Sequence, residues 1–286
     1  MDLSASTVIF AFLFTIQPIY VIIRCRNLNF MESLDMFLEL NLRSKELKKN
    51  TQVNILIPDA TESDKQFKTM WLLHGLNGNH TSWMRNSAIE RYANKYNLAV
   101  VMPDAERSWY TNTAYGINYL NFISNELPEL CHNTFKGMSE SREDNIVAGL
   151  SMGGYGAMKM AFSYPEQYGA CISLSGSLDI TRKGRPCNLK EWRSIFGFDM
   201  DNPLELEGSK HDLYALASKA KEEGKQFPKL YMWCGTEDEL IAVNRSFDQH
   251  LTELSVCHKF ETSEGDHSWK WWDLHIQEAL KWLLED

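Results

Sequence analysis

The sequence lacks the excess of basic residues that nucleic-acid binding requires. It contains 29 Lys and Arg residues against 38 Asp and Glu residues, which gives a formal net charge of -9 at pH 7. A chain of this charge repels a phosphate backbone. We therefore predict no nucleic-acid partner.

The sequence also lacks the cysteine and histidine spacings that hold metal ions. Its six cysteines are scattered, with no Cys-x-x-Cys pair and no histidine at ligand spacing. This pattern indicates neither a zinc site nor a dense disulfide framework. We predict no metal and buried free thiols, with a bridge such as Cys187 to Cys257 as the alternative.

A long uninterrupted apolar run is missing too, although the first residues come close to one. Val8–Ile23 is nearly all apolar, but Gln17 and Pro18 interrupt it, and it is shorter than the roughly 20 residues of a spanning helix. No basic start or A-x-A site marks a secretory signal. Residues 1–36 are therefore interpreted as a leader, either an anchor or a mis-assigned start with the true start at Met31 or Met36. We expect a cytoplasmic protein, with membrane attachment or secretion only if the leader is real.

Strand and helix patterns alternate through residues 37–286, and this alternation predicts one α/β domain. We expect three layers around a mostly parallel sheet of about eight strands, with the first two strands antiparallel. A looser stretch, Gly176–Pro228, is predicted to form a short cap-like excursion with short helices at 192–196 and 213–221. Strands are predicted at 37–42, 53–57, 70–73, 98–102, 146–150, 170–174, 230–234 and 259–262, and helices at 88–96, 115–130, 154–164, 243–254 and 269–284.

A serine among glycines marks a candidate nucleophile. The string GLSMGG at Gly149–Gly154 follows the apolar run Asn145–Leu150 and precedes a helical pattern. On a strained strand-to-helix turn of this kind, only glycines leave room, and the hydroxyl of Ser151 stands clear of the sheet. The pattern alone is common, so it needs partner residues elsewhere in the chain. It predicts acyl transfer through Ser151.

A base must take the serine proton, and in a fold with this turn the order is serine, acid, histidine. Five histidines follow Ser151 in the sequence. His211 comes too early in the strand order, His258 lies at the entry end of the last strand, and two others fall in predicted helices. His267, in the loop Glu264–Ser268 just after that strand, is the predicted base.

The acid that orients the base is predicted in the loop after the strand Leu230–Cys234. This loop ends at the same edge of the sheet as the other candidates and contains three consecutive acidic residues. Asp238 is preferred because Gly-x-x-Asp at this place matches the hydrolase pattern. Glu237 and Glu239 are the alternatives, since a run of carboxylates after a strand is also typical of a solvated loop.

Two backbone donors are predicted to form an oxyanion hole. Met152 follows the serine directly and supplies one N–H group. The glycine-rich loop His74–Asn79 follows the third strand, where the second donor of such enzymes lies, and Leu76 is the candidate. His74 itself is interpreted as a hydrogen-bonded structural residue.

Six motifs in the same order as in one family support a resemblance. They are His74–Asn79 with Ser82–Trp83, Val101–Asp104, Trp109–Asn112 with Tyr115–Gly116, Gly149–Gly156, Cys234–Asp238, and His267–Trp269 with Trp272–Asp273. The chain resembles the esterase D type of putative esterases within the α/β-hydrolase superfamily, and most of all bacterial tributyrin and feruloyl esterases. The resemblance covers about Phe37 to Leu284, and only the apolar leader departs from it.

The resemblance implies a catalytic triad of Ser151, Asp238 and His267, with Leu76 and Met152 as oxyanion donors and no cofactor. The expected function is a serine carboxylesterase that hydrolyses short-chain acyl or hydroxycinnamoyl esters through an acyl-enzyme. The alternatives are an S-formylglutathione hydrolase-like thioesterase, an acyltransferase of the same family, or a non-catalytic binding module held at a membrane.

Aromatic residues in the loops and the excursion are candidate substrate contacts. Trp109, Tyr110, Trp192 and Trp269 are the ones we expect to wall the site, because aromatic walls suit small aromatic esters. The expected partner is a small-molecule ester or an acylated plant-polysaccharide fragment. A homo-oligomer is compatible with the sequence.

Overall fold

The computed structural model describes residues 7–12, 19–24, 36–58, 66–181, 189–197 and 206–285. The strands among these residues form one ten-stranded sheet. The strands are β1 (Thr7–Phe12), β2 (Ile19–Arg24), β3 (Met36–Arg43), β4 (Asn50–Ile57), β5 (Lys68–Leu73), β6 (Leu98–Pro103), β7 (Asn145–Leu150), β8 (Ala170–Leu174), β9 (Lys229–Gly235) and β10 (His258–Ser263). Their spatial order is β1-β2-β3-β4-β6-β5-β7-β8-β9-β10. The strands from β5 to β10 are parallel, and β1 to β4 are antiparallel to their neighbours.

Helices cover both faces of this sheet. They are α1 (Ser82–Asn86), α2 (Ile89–Lys95), α3 (Tyr119–Asn121), α4 (Leu127–Thr134), α5 (Met152–Ser163), α6 (Leu189–Phe196), α7 (Leu213–Glu222), α8 (Ile241–Glu253) and α9 (Trp269–Leu284). A π-helical turn, Phe122–Glu126, joins α3 to α4. The excursion between β8 and β9 carries α6 and α7.

Two hydrophobic cores lie on opposite faces of the sheet because side chains alternate along each strand. In β5, Trp71 and Leu73 join the core under α4, α5 and α8, whereas Met70 and Leu72 join the core under α2 and α9. Both faces of the central strands are therefore buried, as parallel strands require. The predicted three-layer α/β fold is confirmed, with eight strands between Met36 and Ser263 and two further strands before them.

The predicted helix at 115–130 begins later than the sequence indicated. Gly116 has φ +92°, and the backbone of Thr113 bonds with that of Ile117, so residues 113–117 form a tight turn. The helical segment begins at Tyr119 and continues to Thr134. The pattern missed α1 entirely, because five residues are too few to show a helical period.

The leader and the cysteines are only partly within the described residues. Strands β1 and β2 continue the sheet beyond β3, so the pair β3 and β4 does not end it.

Cys131, Cys171 and Cys234 are buried free thiols and Cys257 is an exposed one, whereas Cys187 lies outside the described residues. Within the described ranges, none of the helices is both long enough and apolar enough to span a bilayer.

A buried polar cluster joins α5 to the excursion. The Nζ atom of Lys159 donates to Thr111 Oγ1 at 2.7 Å and contacts His211 Nδ1 at 3.2 Å, and the Thr111 hydroxyl lies 3.0 Å from the same nitrogen. Burial lowers the pKa of Lys159 well below its usual value. Burial, together with the nearby charges of Lys159 and Lys210, lowers the pKa of His211 to about 3. His211 therefore folds as a neutral acceptor.

Lowering the pH from about 6.5 toward 3 is expected to reduce the free energy of unfolding. Over this range the unfolded chain gains a proton on His211 that the buried imidazole does not bind, so acid favours unfolding. His211→Asn keeps an acceptor for Thr111 but does not titrate. Its free energy of unfolding in urea, measured between about pH 4.5 and 6.5, should depend less steeply on pH, by up to about 1.4 kcal/mol per pH unit. Identical pH slopes for the two proteins would contradict the prediction.

Candidate active site

Ser151 stands at a sharp turn between β7 and α5. Its φ of 53° and ψ of -117° are strained for a residue with a side chain. Hydrogen bonds hold this conformation, since the Ser151 N–H donates to Leu174 O at 2.9 Å and its carbonyl accepts from the Ser177 N–H at 3.0 Å. The predicted strand-to-helix turn is present, and helix α5 begins directly after it, two residues earlier than the sequence pattern indicated.

Glycines around the serine allow backbones to approach more closely than any side chain permits. A Cβ atom on Gly149 would lie 2.3 Å from Gly153 O, and a Cβ atom on Gly153 would lie 2.5 Å from Leu73 O. Helix α5 therefore packs directly on the ends of β7 and β5. Any larger residue at either position would push the helix, and Ser151 with it, away from the sheet.

His267 lies within hydrogen-bond reach of the serine. Its Nε2 atom is 3.0 Å from Ser151 Oγ, and its Nδ1 atom is 2.8 Å from Asp238 Oδ2. A carboxylate can only accept, so Nδ1 carries the proton and Nε2 is free to accept the serine hydroxyl proton. The side chain is 28% exposed, which leaves the imidazole in contact with the cavity described below.

Asp238 is buried, with 2% of its surface exposed. Burial by itself raises the pKa of this carboxyl, but the hydrogen bonds from His267 and from the Leu240 N–H outweigh it and hold the pKa below its usual value. Glu237 instead accepts from the Gly265 N–H at 2.7 Å, and Glu239 is exposed at the cavity. Of the three acidic residues in the loop, only Asp238 contacts His267.

A close contact between two loops sets the distance from Asp238 to His267. A Cβ atom on Gly235 would lie 2.0 Å from Gly265 O, and Gly265 itself has φ +158°. The loop after β9 and the loop after β10 therefore run against each other, backbone to backbone. This contact aligns the acid with the base although 29 residues separate them in sequence.

Several hydrogen bonds fix the loop that holds Leu76. The Tyr110 hydroxyl donates to His74 O at 2.8 Å, and Trp83 Nε1 donates to Leu73 O at 3.1 Å. His74 Nδ1 bonds with Gly75 O at 2.7 Å, and its Nε2 accepts from the Ala105 N–H at 3.0 Å. Burial lowers the pKa of His74, so it is a neutral structural histidine.

A cavity of about 730 Å³ opens above the serine. The predicted site residues that line it are Leu76, Trp109, Ser151, Met152, His267 and Trp269. The first N–H groups of a helix have no intrahelical acceptor, so the N–H of Met152, the first residue of α5, is free of the helix ladder. Leu76 and Met152 thus both line the cavity that contains Ser151, and their role as oxyanion donors stays a prediction.

Two of the predicted substrate contacts lie behind the cavity rather than in it. Tyr110 is fully buried, its ring packs on Gly156 of α5, and its hydroxyl is bonded to His74 O. Trp192 packs its ring on Trp109 at 5.2 Å and is 5% exposed. Neither lines the cavity, so neither side chain is placed to contact a substrate there directly. Both instead support residues that do line it.

Trp272, Arg85 and Glu239 also line the cavity, although the sequence did not indicate substrate contact for any of them. The Trp272 ring meets the His267 ring edge-on at 4.8 Å, and its Nε1 donates to Ser175 Oγ at 3.1 Å. Arg85 lines the cavity from α1, and Glu239 does so from the loop after β9. No local pattern shows which side chains of a helix or loop reach a cavity. Among the described residues, no group of three or more His, Cys, Asp or Glu side chains could hold a metal ion.

The sequence of the chain matches one family over most of its length. The model of the family described as "Putative esterase" matches residues 44–283. The acetyl esterase of Caldicellulosiruptor saccharolyticus is 33% identical over 264 residues, which cover 86% of this chain and 97% of that protein.

Solved structures give the same likeness. The substrate-bound FphF of Staphylococcus aureus, a fluorophosphonate-binding serine hydrolase, superposes with a TM-score of 0.81 at 35% identity and covers 87% of this chain and 98% of its own. An S-formylglutathione hydrolase of the same organism superposes with a TM-score of 0.79 at 35% identity and the same coverage. A ferulic acid esterase, with a TM-score of 0.75 and 19% identity, shares the fold.

Tyr110→Phe is expected to lower kcat for ester hydrolysis by roughly 10- to 100-fold with little change in KM, because the loop that carries Leu76 loses its anchor. Tyr155→Phe is the matched control, since the Tyr155 hydroxyl donates to a backbone carbonyl of His211 at 2.7 Å, away from that loop. Both variants lose one buried hydrogen bond, at about 1 to 3 kcal/mol of stability. Steady-state kinetics beside thermal melts separate the effects. Equal kinetic losses in both variants would contradict a positioning role for Tyr110.

Proposed function

The chain belongs to the putative esterase family, and from this premise we propose that it removes short acyl groups, acetyl foremost, from esters through an acyl-enzyme on Ser151. It is a carboxylic ester hydrolase of the serine type, and this excludes the alternative of a non-catalytic binding module. One observation supports the roles assigned to Ser151, His267 and Asp238. The chain of hydrogen bonds from Ser151 through His267 to Asp238, at 3.0 and 2.8 Å, is what a serine nucleophile requires.

In the first half of the reaction, Ser151 Oγ attacks the ester carbonyl carbon while His267 Nε2 takes the hydroxyl proton. The carbonyl oxygen becomes negative and accepts hydrogen bonds from the Leu76 and Met152 N–H groups. Asp238, ionised because its pKa is low, stabilises the imidazolium that forms. The imidazolium then protonates the departing alcohol, and the acyl group stays on the serine.

In the second half, water enters where the alcohol left. His267 takes a proton from this water as it attacks the acyl-enzyme, and returns a proton to Ser151 as the acid departs. No cofactor takes part in either half. If an alcohol replaced the water, the same intermediate would yield a new ester, so product analysis with added alcohol acceptors tests the acyltransferase alternative.

The acetyl assignment rests on the acetyl esterase, because it is 33% identical and matches over nearly its whole length. The hydroxycinnamoyl alternative has weaker support, since the ferulic acid esterase shares the fold at only 19% identity. Parallel assays of 4-nitrophenyl acetate and methyl ferulate separate the two acyl classes.

A second candidate function is the hydrolysis of S-formylglutathione, which the hydrolase of that name from Staphylococcus aureus suggests at 35% identity. The cavity offers a feature that favours a charged leaving group. Arg85 is the one Lys or Arg residue among those that line it, and its exposed side chain has no ionic partner in the described part of the chain. Glu239 lies at the same cavity. A leaving group with both a carboxylate and an ammonium could pair with both.

Ser151→Ala is expected to lower kcat for 4-nitrophenyl acetate by about 10⁴- to 10⁶-fold, because no nucleophile remains to form the acyl-enzyme. Ser163→Ala, at the other end of the same helix, is the control and should keep the wild-type rate. Turnover of the Ser151 variant near the wild-type value would refute the proposed mechanism.

Asp238→Asn is expected to lower kcat by about 10⁴-fold, because an amide favours the wrong imidazole tautomer. The chain contains a matched control in Asp248, whose Oδ1 lies 2.8 Å from His258 Nε2 but whose pair contacts no nucleophile. Asp248→Asn should leave kcat unchanged. Circular dichroism of both variants checks the fold, and a comparable loss in the two would remove the special role of Asp238.

Arg85→Ala is expected to lower kcat/KM for S-formylglutathione by roughly 10-fold, the lower range for a hydrogen bond to a charged group, and to spare the uncharged 4-nitrophenyl acetate. Arg85→Lys should recover part of the loss, because the charge remains while the planar fork is lost. Lys136→Ala controls for net charge, since Lys136 is exposed just before Gly137, which bonds to Phe67 at the start of β5. Equal effects on both substrates would rule out recognition of the leaving group by Arg85.

A further inference from the structure

The order of the strands defines two sides of the cavity, and the two sides have different roles in the reaction. Ser151 follows β7. His267 follows β10, three strands away in one direction, whereas Trp109 lies in the loop after β6, two strands away in the other. The two residues therefore approach the nucleophile from opposite sides, and both line the cavity.

The reaction itself decides which part of an ester lies on which side. His267 Nε2 must reach both the serine oxygen and the leaving oxygen, because it carries the proton from one to the other. The leaving group therefore lies on the side of His267, together with Trp269 and Trp272. The carbonyl oxygen faces Leu76 and Met152, so the acyl chain extends the opposite way, toward Trp109.

Trp109 is held too firmly to move aside for a long acyl chain. It is 4% exposed, and its ring contacts the rings of Tyr155 at 5.7 Å, Trp192 at 5.2 Å and Phe196 at 6.3 Å. Its backbone has φ +53°, and Tyr110 after it has φ +48°. Two successive left-handed residues with large side chains are uncommon, and strain of this kind persists only where the surroundings enforce it.

Helix α6 of the excursion forms the backing of this wall. The rings of Trp192 and Phe196 pack on each other at 4.9 Å in a tilted arrangement, and both pack on Trp109 without lining the cavity themselves. The backbone of α6 is tied to the same loop, since the Ala114 N–H donates to Ile195 O at 2.9 Å. Loss of the Trp109 ring would open the cavity into a space lined by these apolar rings.

We propose that Trp109 closes the acyl side of the cavity and sets the upper limit of acyl chain length, with α6 as its support. This inference rests on the proposed function, because it assigns the acyl side from the role of His267. It makes Trp109 a specificity-determining residue and restricts the natural substrates to esters of short acids. The leaving-group side stays open to larger alcohols.

The test compares 4-nitrophenyl esters from acetate through butyrate and hexanoate to octanoate on the wild-type chain, Trp109→Ala and Trp109→Phe. The wild type should prefer the shortest esters. Trp109→Ala should raise the ratio of kcat/KM for octanoate to that for acetate by about 10-fold or more, since one methylene in an apolar pocket already changes kcat/KM by that order. Trp109→Phe, with a smaller ring, should fall between the two.

Trp269→Ala is the matched control, because it removes an indole from the leaving-group side of the same cavity. Its acyl ranking should stay that of the wild type whatever its overall rate. If Trp109→Ala does not fold by circular dichroism, Trp109→Phe and Trp192→Ala carry the test, both with a shift toward longer acyl groups.

Failure of the proposed function and failure of the role of Trp109 would give different results. A wild-type chain that hydrolyses none of the esters, or an active Ser151→Ala variant, would overturn the proposed function itself. A wild-type chain that depends on Ser151 but prefers octanoate would overturn only the role of Trp109. Folded Trp109 variants with the wild-type acyl ranking would overturn it as well.

Discussion

The close approach of helix α5 to the ends of β5 and β7 is the constraint on which the site depends. Gly149 and Gly153 allow the backbones to meet where a Cβ atom would lie only 2.3 to 2.5 Å from a neighbouring carbonyl. With the helix this close, the chain can leave the strand and enter the helix only through a left-handed residue, and Ser151 takes that conformation. The hydroxyl is then presented above the sheet, with the first N–H groups of α5 beside it.

The loop after β6 connects several parts of the site that do not contact Ser151 directly. Trp109 walls the cavity, and Tyr110 anchors the backbone of His74. Arg107 pairs with Glu191 of α6, and its Nη1 atom donates to Asn77 Oδ1 at 3.1 Å. One loop thus connects the loop His74–Asn79, the wall of the cavity at Trp109 and the excursion. A change in any one of the three can alter the other two through this loop.

Electrostatics distinguish the functional polar groups from the structural ones. Asp238 stays ionised in a buried position because His267 and a backbone N–H hydrogen-bond to it. His74 and His211 are also buried, yet burial lowers their pKa and each remains a neutral member of a hydrogen-bond network. The pair of Asp248 and His258 is equally close, at 2.8 Å, but it uses His258 Nε2, and the Nδ1 atom of that ring bonds with Val256 O rather than with a serine. Acyl transfer therefore requires that a serine, a histidine and a carboxylate converge, since a histidine and a carboxylate alone do not make a nucleophile.

The sequence by itself determined the order of strands and helices from β3 onward except for the short α1, the glycine-flanked serine, and the loops that carry Asp238, His267, Leu76 and Met152. These features are local, because strand and helix periods and the position of a loop after a strand can be read from neighbouring residues. Only the tertiary structure decided which aromatic rings line the cavity. Trp272 and Arg85 reach it, while Tyr110 and Trp192 lie behind it, and no local pattern separates the two pairs. The physical reason is that burial against a cavity depends on packing between elements distant in sequence, and period and motif carry no information about that packing.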